Sequence, residues 1–330
     1  ITFCDGRKIF LLYNVLSILP AMLLQVPVVK LSQAMGPFES RTNRFWASRI
    51  LARCQKIFAR GGRTAEHLYS LDLPAYSWQQ AADVAFAYED KFSLTDESRT
   101  QLEKFVARYV NRSQLGHQTV AVIPSSLVMK KNPLYISQMA DLICDLAIAG
   151  HDILLLPNAT RGGLDKSRNN DLQAIRHIVD HVRIHSPDVL NRLWHVDFDI
   201  NTAGVRRLMR FADAVVTSRF HGMVAALADA IPVVVIGWSH KYAEVLAQFD
   251  CEELCCDYQD TADHLTEQVL HVLVCRSKWR ERLQQHLPQV IESSRSQLDY
   301  VCQMLSPDQA ENIKTRAEQW SSPQDVVTVG

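Results

Sequence analysis

The segment ADAVVTSRFHGMVAALADAIPVVVIGWSHKYAEVL, Ala212 to Leu246, places two short apolar runs, AVVT and PVVVIGW, each ahead of a stretch of helical length. Short β-branched runs bounded by turns and separated by helices are the pattern of βαβ units on a parallel sheet. Each run ends in polar and basic residues: Ser218-Arg219-Phe220-His221-Gly222 after the first, His240-Lys241 after the second. In open α/β sheets ligands sit beyond the carboxyl ends of the strands, where helices begin and their backbone N–H groups point outward. Two such strand ends aim a guanidinium, an imidazole and an ammonium at one place, and Arg supplies a planar fork for a carboxylate or phosphate where Lys supplies a point charge. The expectation is an anion site with an acid in it. A blander arrangement would pair Arg219 with a rim acid such as Asp213, let His221 cap the helix and leave Lys241 in water. The joint placement at consecutive βα turns favours the site.

The same pattern extends outward in both directions. Upstream run the strand PVVKLSQ, the helical RTNRFWASRILARC, the short KIFAR and the helix TAEHLYSL, then a charged stretch from Glu89 to Arg112. TVAVIPS opens a second series, continued by a helix over about 135–149, DILLLPN, a helix over about 170–183, RLWHVDF and a helix near 202–212. The fold class expected is α/β with two Rossmann-like, doubly wound domains. The boundaries expected are 1–115 for a partial first domain, 116–295 for the second, and 296–330 for a polar helical tail that crosses back onto the first.

A chain of 330 residues, 47% hydrophobic and 22% charged, can bury two ordinary cores. The net charge of −1 and a pI near 6.9 argue against a nucleic-acid coat or a strongly basic membrane-surface protein, so any anion site is local. Eight cysteines are present, five of them scattered singly and only Cys251, Cys255 and Cys256 clustered; they read as reduced thiols of a cytosolic protein rather than a disulfide framework or a ligand set. Ile9 to Val29 is apolar enough to suggest a membrane span, but Asn14, Ser17, Pro20, Gln25 and Pro27 interrupt it, so a buried helix followed by a strand is expected. The first residue is Ile, which suggests a fragment or a processed start.

With these residues in view, SRFHGMVAALADAIPVVVIGWSHK resembles the signature of the polysaccharide pyruvyl transferase family: Ser-Arg-x-His at a strand end, a helix, Ile-Pro, a strand, then Lys. Weaker matches are VPVVKLSQAMGPF with its Gly-Pro-Phe turn at Gly36, IFARGGRTAEHLYSLDL with its strand ending in Arg60, AADVAF around Asp83, and DILLLPNATRGGLDKSRNNDLQAI from Asn158 to its Asn-Asp-Leu helix start. The resemblance covers about residues 10–260 and implies a fold similar to the B-type glycosyltransferases, with the site between two Rossmann-like halves. The family's opening glycine-containing strand and helix have no counterpart here, so the first domain is expected to be truncated. Gly-Gly follows Arg60 where the family more often has an acid.

The activity implied is transfer of the pyruvyl group of phosphoenolpyruvate to two hydroxyls of a saccharide or its lipid-linked precursor, forming a ketal and releasing phosphate. That chemistry needs cationic anchors for a carboxylate and a phosphate: Arg219 and Lys241, with Ser218 beside them and Arg60 from the other domain. It also needs an acid for the methylene carbon, for which His221 is the candidate, its imidazolium favoured by two anionic neighbours. Gly36, Asn158 and Glu244 are expected to line the site, and the base is left open among Asp83, Glu244 and His240. No cofactor and no metal follow from the residues. The expected compartment is the cytoplasm, with contact to the inner membrane face where lipid-linked sugars are built, and no nucleic-acid partner.

Two alternatives remain open: a sugar-nucleotide-dependent glycosyltransferase with Glu244 on the ribose, and an inactive scaffold in polysaccharide assembly. His177, His181 and His185 fall on one helix face with no carboxylate or thiol to complete a metal set, and read as a solvated face. The loops RGGRT and TRGGLDKSR match neither phosphate-binding glycine pattern.

Overall fold

The computed structural model describes residues 8–89, 94–112, 116–160, 169–237 and 241–305. It divides into two compact units, 1–89 with 288–330, and 90–287. In the first, α1 (Lys8–Leu23), β1 (Val29–Gln33), α2 (Arg41–Leu51), β2 (Lys56–Arg60), α3 (Gly62–Tyr69) and β3 (Trp78–Ala81) follow one another. The strands pair in parallel in the order β1-β2-β3. The core gathers Ile50 and Leu51 of α2, Ile57 and Ala59 of β2, and Leu68 of α3, all at most 2% exposed. β2 forms where its apolar residues are buried on both faces, as parallel pairing requires.

The second unit holds α4 (Asp96–Arg112), β4 (Thr119–Ile123), α5 (Ser126–Met129), α6 (Tyr135–Ile148), β5 (Asp152–Leu155), α7 (Asp171–His185), β6 (Leu193–His195) and α8 (Thr202–Met209). β7 (Ala214–Thr217), α9 (Phe220–Ala228), β8 (Val233–Gly237), α10 (Lys241–Leu246), β9 (Cys255–Asp257) and α11 (Ala262–Val274) complete it, and α12 (Arg276–Met304) runs on until its residues from Pro288 belong to the first unit. Its sheet is parallel throughout, ordered β6-β5-β4-β7-β8-β9. Every residue of β4, β5, β7 and β8 is buried, which is why these strands read as unbroken apolar runs rather than alternating ones. The chain starts at β4, winds out to β6, returns to β7 beside β4 and winds out the other way. The order therefore reverses between β4 and β7, and a doubly wound sheet opens its ligand crevice there.

Several expectations change. The apolar run at the start was expected to be a buried helix, yet only one face of α1 is covered: Asn14 and Val15 are buried while Leu12, Tyr13, Leu16 and Leu23 are 55–74% exposed. Ile18 and Met22 complete the packed face. Among the described residues, no helix is long and apolar enough to cross a membrane. Residues 96–112 read by sequence as part of a charged stretch in the first domain, but they form α4 and belong to the second unit. There Phe105 and Tyr109 set their rings edge-on to Trp194, and the Tyr109 hydroxyl meets Thr119 Oγ1 at 2.6 Å. The unit boundaries thus fall after Glu89 and Leu287, where the sequence suggested 115 and 295.

The end of α12 is held in the first unit by buried polar bonds. Gln297 accepts from Ser32 N at 2.6 Å and donates to Ala82 O at 2.8 Å, and Ser294 Oγ donates to Asp83 O at 2.9 Å. The described cysteines are free thiols, and burial pushes those of Cys54 and Cys251 up to about 11.

Candidate active site

At the switch point the turns after β4, β5 and β7 converge on one carboxylate, Asp171, which is fully buried in the first turn of α7. Asn170 caps that helix by accepting from Leu172 N at 3.3 Å, and this fixes the neighbouring Asp171 to face the strand ends. Asp171 Oδ1 accepts from Ser126 N at 3.0 Å and from Arg219 Nε at 3.0 Å; Oδ2 accepts from Asn158 N at 3.2 Å and Ala159 N at 2.9 Å. Arg219 Nη2 also donates to Asp171 Oδ1, and to Ser126 Oγ at 3.1 Å. A carboxylate with both oxygens bonded and a guanidinium beside it is the form in which a buried charge is tolerated.

Ser218 is likewise internal, 2% exposed. Its Oγ meets the Tyr135 hydroxyl at 2.8 Å, that hydroxyl accepts from Ser125 N at 3.0 Å, and Tyr242 donates to Ser218 O at 3.3 Å. Burial pushes the Tyr135 phenol up, so it stays neutral in this network. Thr217 Oγ1 accepts from Arg219 N at 3.0 Å and lies 2.7 Å from where a side chain on Gly222 would begin, so only glycine lets α9 come this close to β7.

His221 is exposed on the first turn of α9, and no side chain caps the start of that helix. The His221 ring stands edge-on to Phe220 at 5.4 Å, and the Lys241 ammonium lies over the same Phe220 ring at 5.1 Å and over Tyr242 at 5.2 Å. Phe220 is therefore a buried apolar wall against which both the imidazole and the ammonium pack. Glu244 lies half-buried one turn along α10 from Lys241, and Asn158 lies half-buried after β5. His240 falls outside the described residues.

In the first unit, Arg60 at the end of β2 pairs with Asp83, Nη1 to Oδ2 at 2.7 Å, and Asp83 Oδ1 accepts from Ala85 N at 3.0 Å. Gly36 has φ +86°, and a side chain there would start 2.4 Å from the His67 ring, so glycine alone fits.

The structure thus brings Ser218, Arg219, His221 and Lys241 to one end of one sheet, with Asn158 tied in through its backbone, and keeps Arg60 and Gly36 in the other unit. Arg219 has an acid partner, but it is Asp171 rather than Asp213, which bonds Thr119 N at 3.0 Å. Sequence reasoning did not single out Asp171; its signal was the Asn-Asp pair opening a helix after a strand-end loop.

No curated protein matches this chain by sequence. Among solved structures, a UDP-GlcNAc 2-epimerase from Neisseria meningitidis bound to UDP-GlcNAc is similar in fold, at TM-score 0.53 and 11% identity over 86% of this chain and 72% of that one. A Rickettsia africae glycosyltransferase has TM-score 0.50 and 11% identity over 89% and 83%, and Anabaena HepE in complex with UDP has TM-score 0.51 and 13% identity over 88% and 76%. These similarities describe an α/β, Rossmann-like fold of the B-type glycosyltransferase kind. A family model described as polysaccharide pyruvyl transferase matches residues 3–240.

Proposed function

The chain belongs to the polysaccharide pyruvyl transferase family and is a transferase; from that premise we propose that it moves the pyruvyl group of phosphoenolpyruvate onto two hydroxyls of a saccharide or its lipid-linked precursor. The observation that carries this reading is that His221 and Lys241 both pack against Phe220, at a helix start without a side-chain cap beside the switch point. Lys241 and the first N–H groups of α9 offer positive charge to the donor's carboxylate and phosphate. His221 offers a proton to its methylene carbon.

Protonation of that carbon makes C2 an oxocarbenium-like electrophile. The first sugar hydroxyl adds to C2 and gives its proton back to the His221 imidazole; the second displaces phosphate, which leaves with the remaining proton. General acid catalysis of this kind contributes roughly 10²–10⁴-fold. Arg219 has a role different from a free anchor: with Nε and Nη2 bonded to Asp171 and Ser126, it holds in register the turn from which His221 projects. We place the reaction in the cytoplasm at the inner membrane face.

Phosphate release from phosphoenolpyruvate in the presence of saccharide acceptors tests the assignment. His221→Ala should keep donor binding and lose about 10²-fold or more in release; Lys241→Ala should weaken donor binding. Full release by His221→Ala removes the proposed acid.

A further inference from the structure

We propose that Cys256, Asp260 and His264 form a binding site for a thiophilic divalent cation of the Zn²⁺ type at the carboxyl end of β9. These residues fall at i, i+4 and i+8, but not on one helix: Cys256 is in β9, Asp260 in the turn that follows, and His264 in the first turn of α11. The turn folds back so that the thiol sulfur, a carboxylate oxygen and an imidazole nitrogen all lie within 4.8 Å of one another, with Asp260 Oδ2 and His264 Nε2 3.9 Å apart.

Thiolate, imidazole and carboxylate are the three ligand types of tetrahedral zinc, and three protein ligands leave the fourth position to water. Magnesium and calcium prefer oxygen alone. Cys256 is buried, Asp260 half-buried and His264 exposed, so the site has a dry floor and an open mouth. Bond lengths of about 2.0–2.3 Å imply about 3.5 Å between ligand atoms; the exposed His264 side chain is the one free to turn inward and close the difference.

The turn carrying the ligands is pinned independently of any ion. Asp260 Oδ2 accepts from Asp257 N at 2.8 Å, Asn132 Nδ2 donates to Tyr258 O at 3.2 Å, Gln138 Nε2 donates to Asp260 O at 3.3 Å, and His264 N donates to Thr261 Oγ1 at 3.3 Å. A bound cation would fasten the edge strand β9 to α11, a place that the pyruvyl-transfer reading does not use.

The test is titration of the tag-free, metal-free chain with Co²⁺, followed by its thiolate-to-cobalt charge-transfer absorption, with Zn²⁺ as competitor. The expected result is one equivalent of Co²⁺, a thiolate band that Zn²⁺ abolishes, and loss of the band in Cys256→Ser. His264→Gln and Asp260→Asn, at exposed and half-exposed positions, should each weaken binding about tenfold or more while the fold stands. The tilted His181 and His185 rings on α7, 4.4 Å apart, offer no thiolate, so any cobalt held there gives no thiolate band and the readout separates the two places. Absence of the band, its survival in Cys256→Ser, or unchanged affinity in His264→Gln overturns the proposal.

Discussion

Asp171 is where the consequences of a single residue are largest. Its carboxylate is fully buried, faces the Arg219 guanidinium and accepts three backbone N–H groups from two strand-end turns. Asp171→Ala would leave a buried charge uncompensated and three donors unpaired, and should cost about 3–5 kcal/mol in urea unfolding. The double variant Asp171→Leu with Arg219→Met should recover only the share due to the uncompensated guanidinium, since the three N–H donors stay unpaired, and should fail to restore turnover; no recovery at all would contradict the pairing. At this scale the sequence was only half legible. That Arg219 stands at a strand end follows from the apolar run before it. Its partner lies 48 residues away, and chain order alone says nothing about which acid the switch point brings to it.

Among the elements, the strands most legible in the sequence are those buried on both faces. β4, β7 and β8 carry unbroken Val, Ile and Ala runs, because helices cover both sides of a parallel sheet. β3 has the sequence WQQA with Gln79 and Gln80 exposed, and β9 is the three-residue CCD; neither has enough apolar signal to stand out. α1 misled in the opposite direction, since its apolarity runs all the way round while only one side is packed.

The outer side of the second sheet carries a pH dependence. His151, just before β5, and His195, at the end of β6, are both held below the ordinary imidazole value of 6.5, chiefly by burial. Each therefore takes up a proton more readily unfolded than folded. The stability they permit is present above pH 6.5 and lost as the pH falls below it. The urea midpoint should drop between about pH 7 and 5, and His151→Phe with His195→Phe should flatten that drop; an unchanged slope would show that neither histidine titrates this way.

For the whole molecule, one helix, α12, begins in one unit and ends in the other. Gln297 of α12 joins β1 to the residue after β3 inside the first unit. Gln297→Ala should leave Ser32 N and Ala82 O unpaired, costing about 1–3 kcal/mol. Hydrogen exchange should then quicken in β1–β3 while β4 and β7 keep their protection. Equal loss in both units would show that they unfold as one.

Outside α4, β3 and β9, the alternation of strands and helices in the described residues was readable from periodicity, and the basic constellation from its position at strand ends. The order of the second sheet was not, because nothing local in β4 or β7 records that they become neighbours. That adjacency places Arg219 opposite Asp171 and sets His221 and Lys241 at the crevice.

Phosphoenolpyruvate is the donor proposed for this crevice. Calorimetric titration of the chain with phosphoenolpyruvate and, separately, with UDP-GlcNAc tests that proposal most directly, alongside Lys241→Ala. Phosphoenolpyruvate should bind, Lys241→Ala should weaken that binding about tenfold or more, as loss of a close charge pair does, and the nucleotide sugar should give no comparable heat. Binding of UDP-GlcNAc in place of phosphoenolpyruvate would contradict the proposal and make the site that of a sugar-nucleotide enzyme on the same fold.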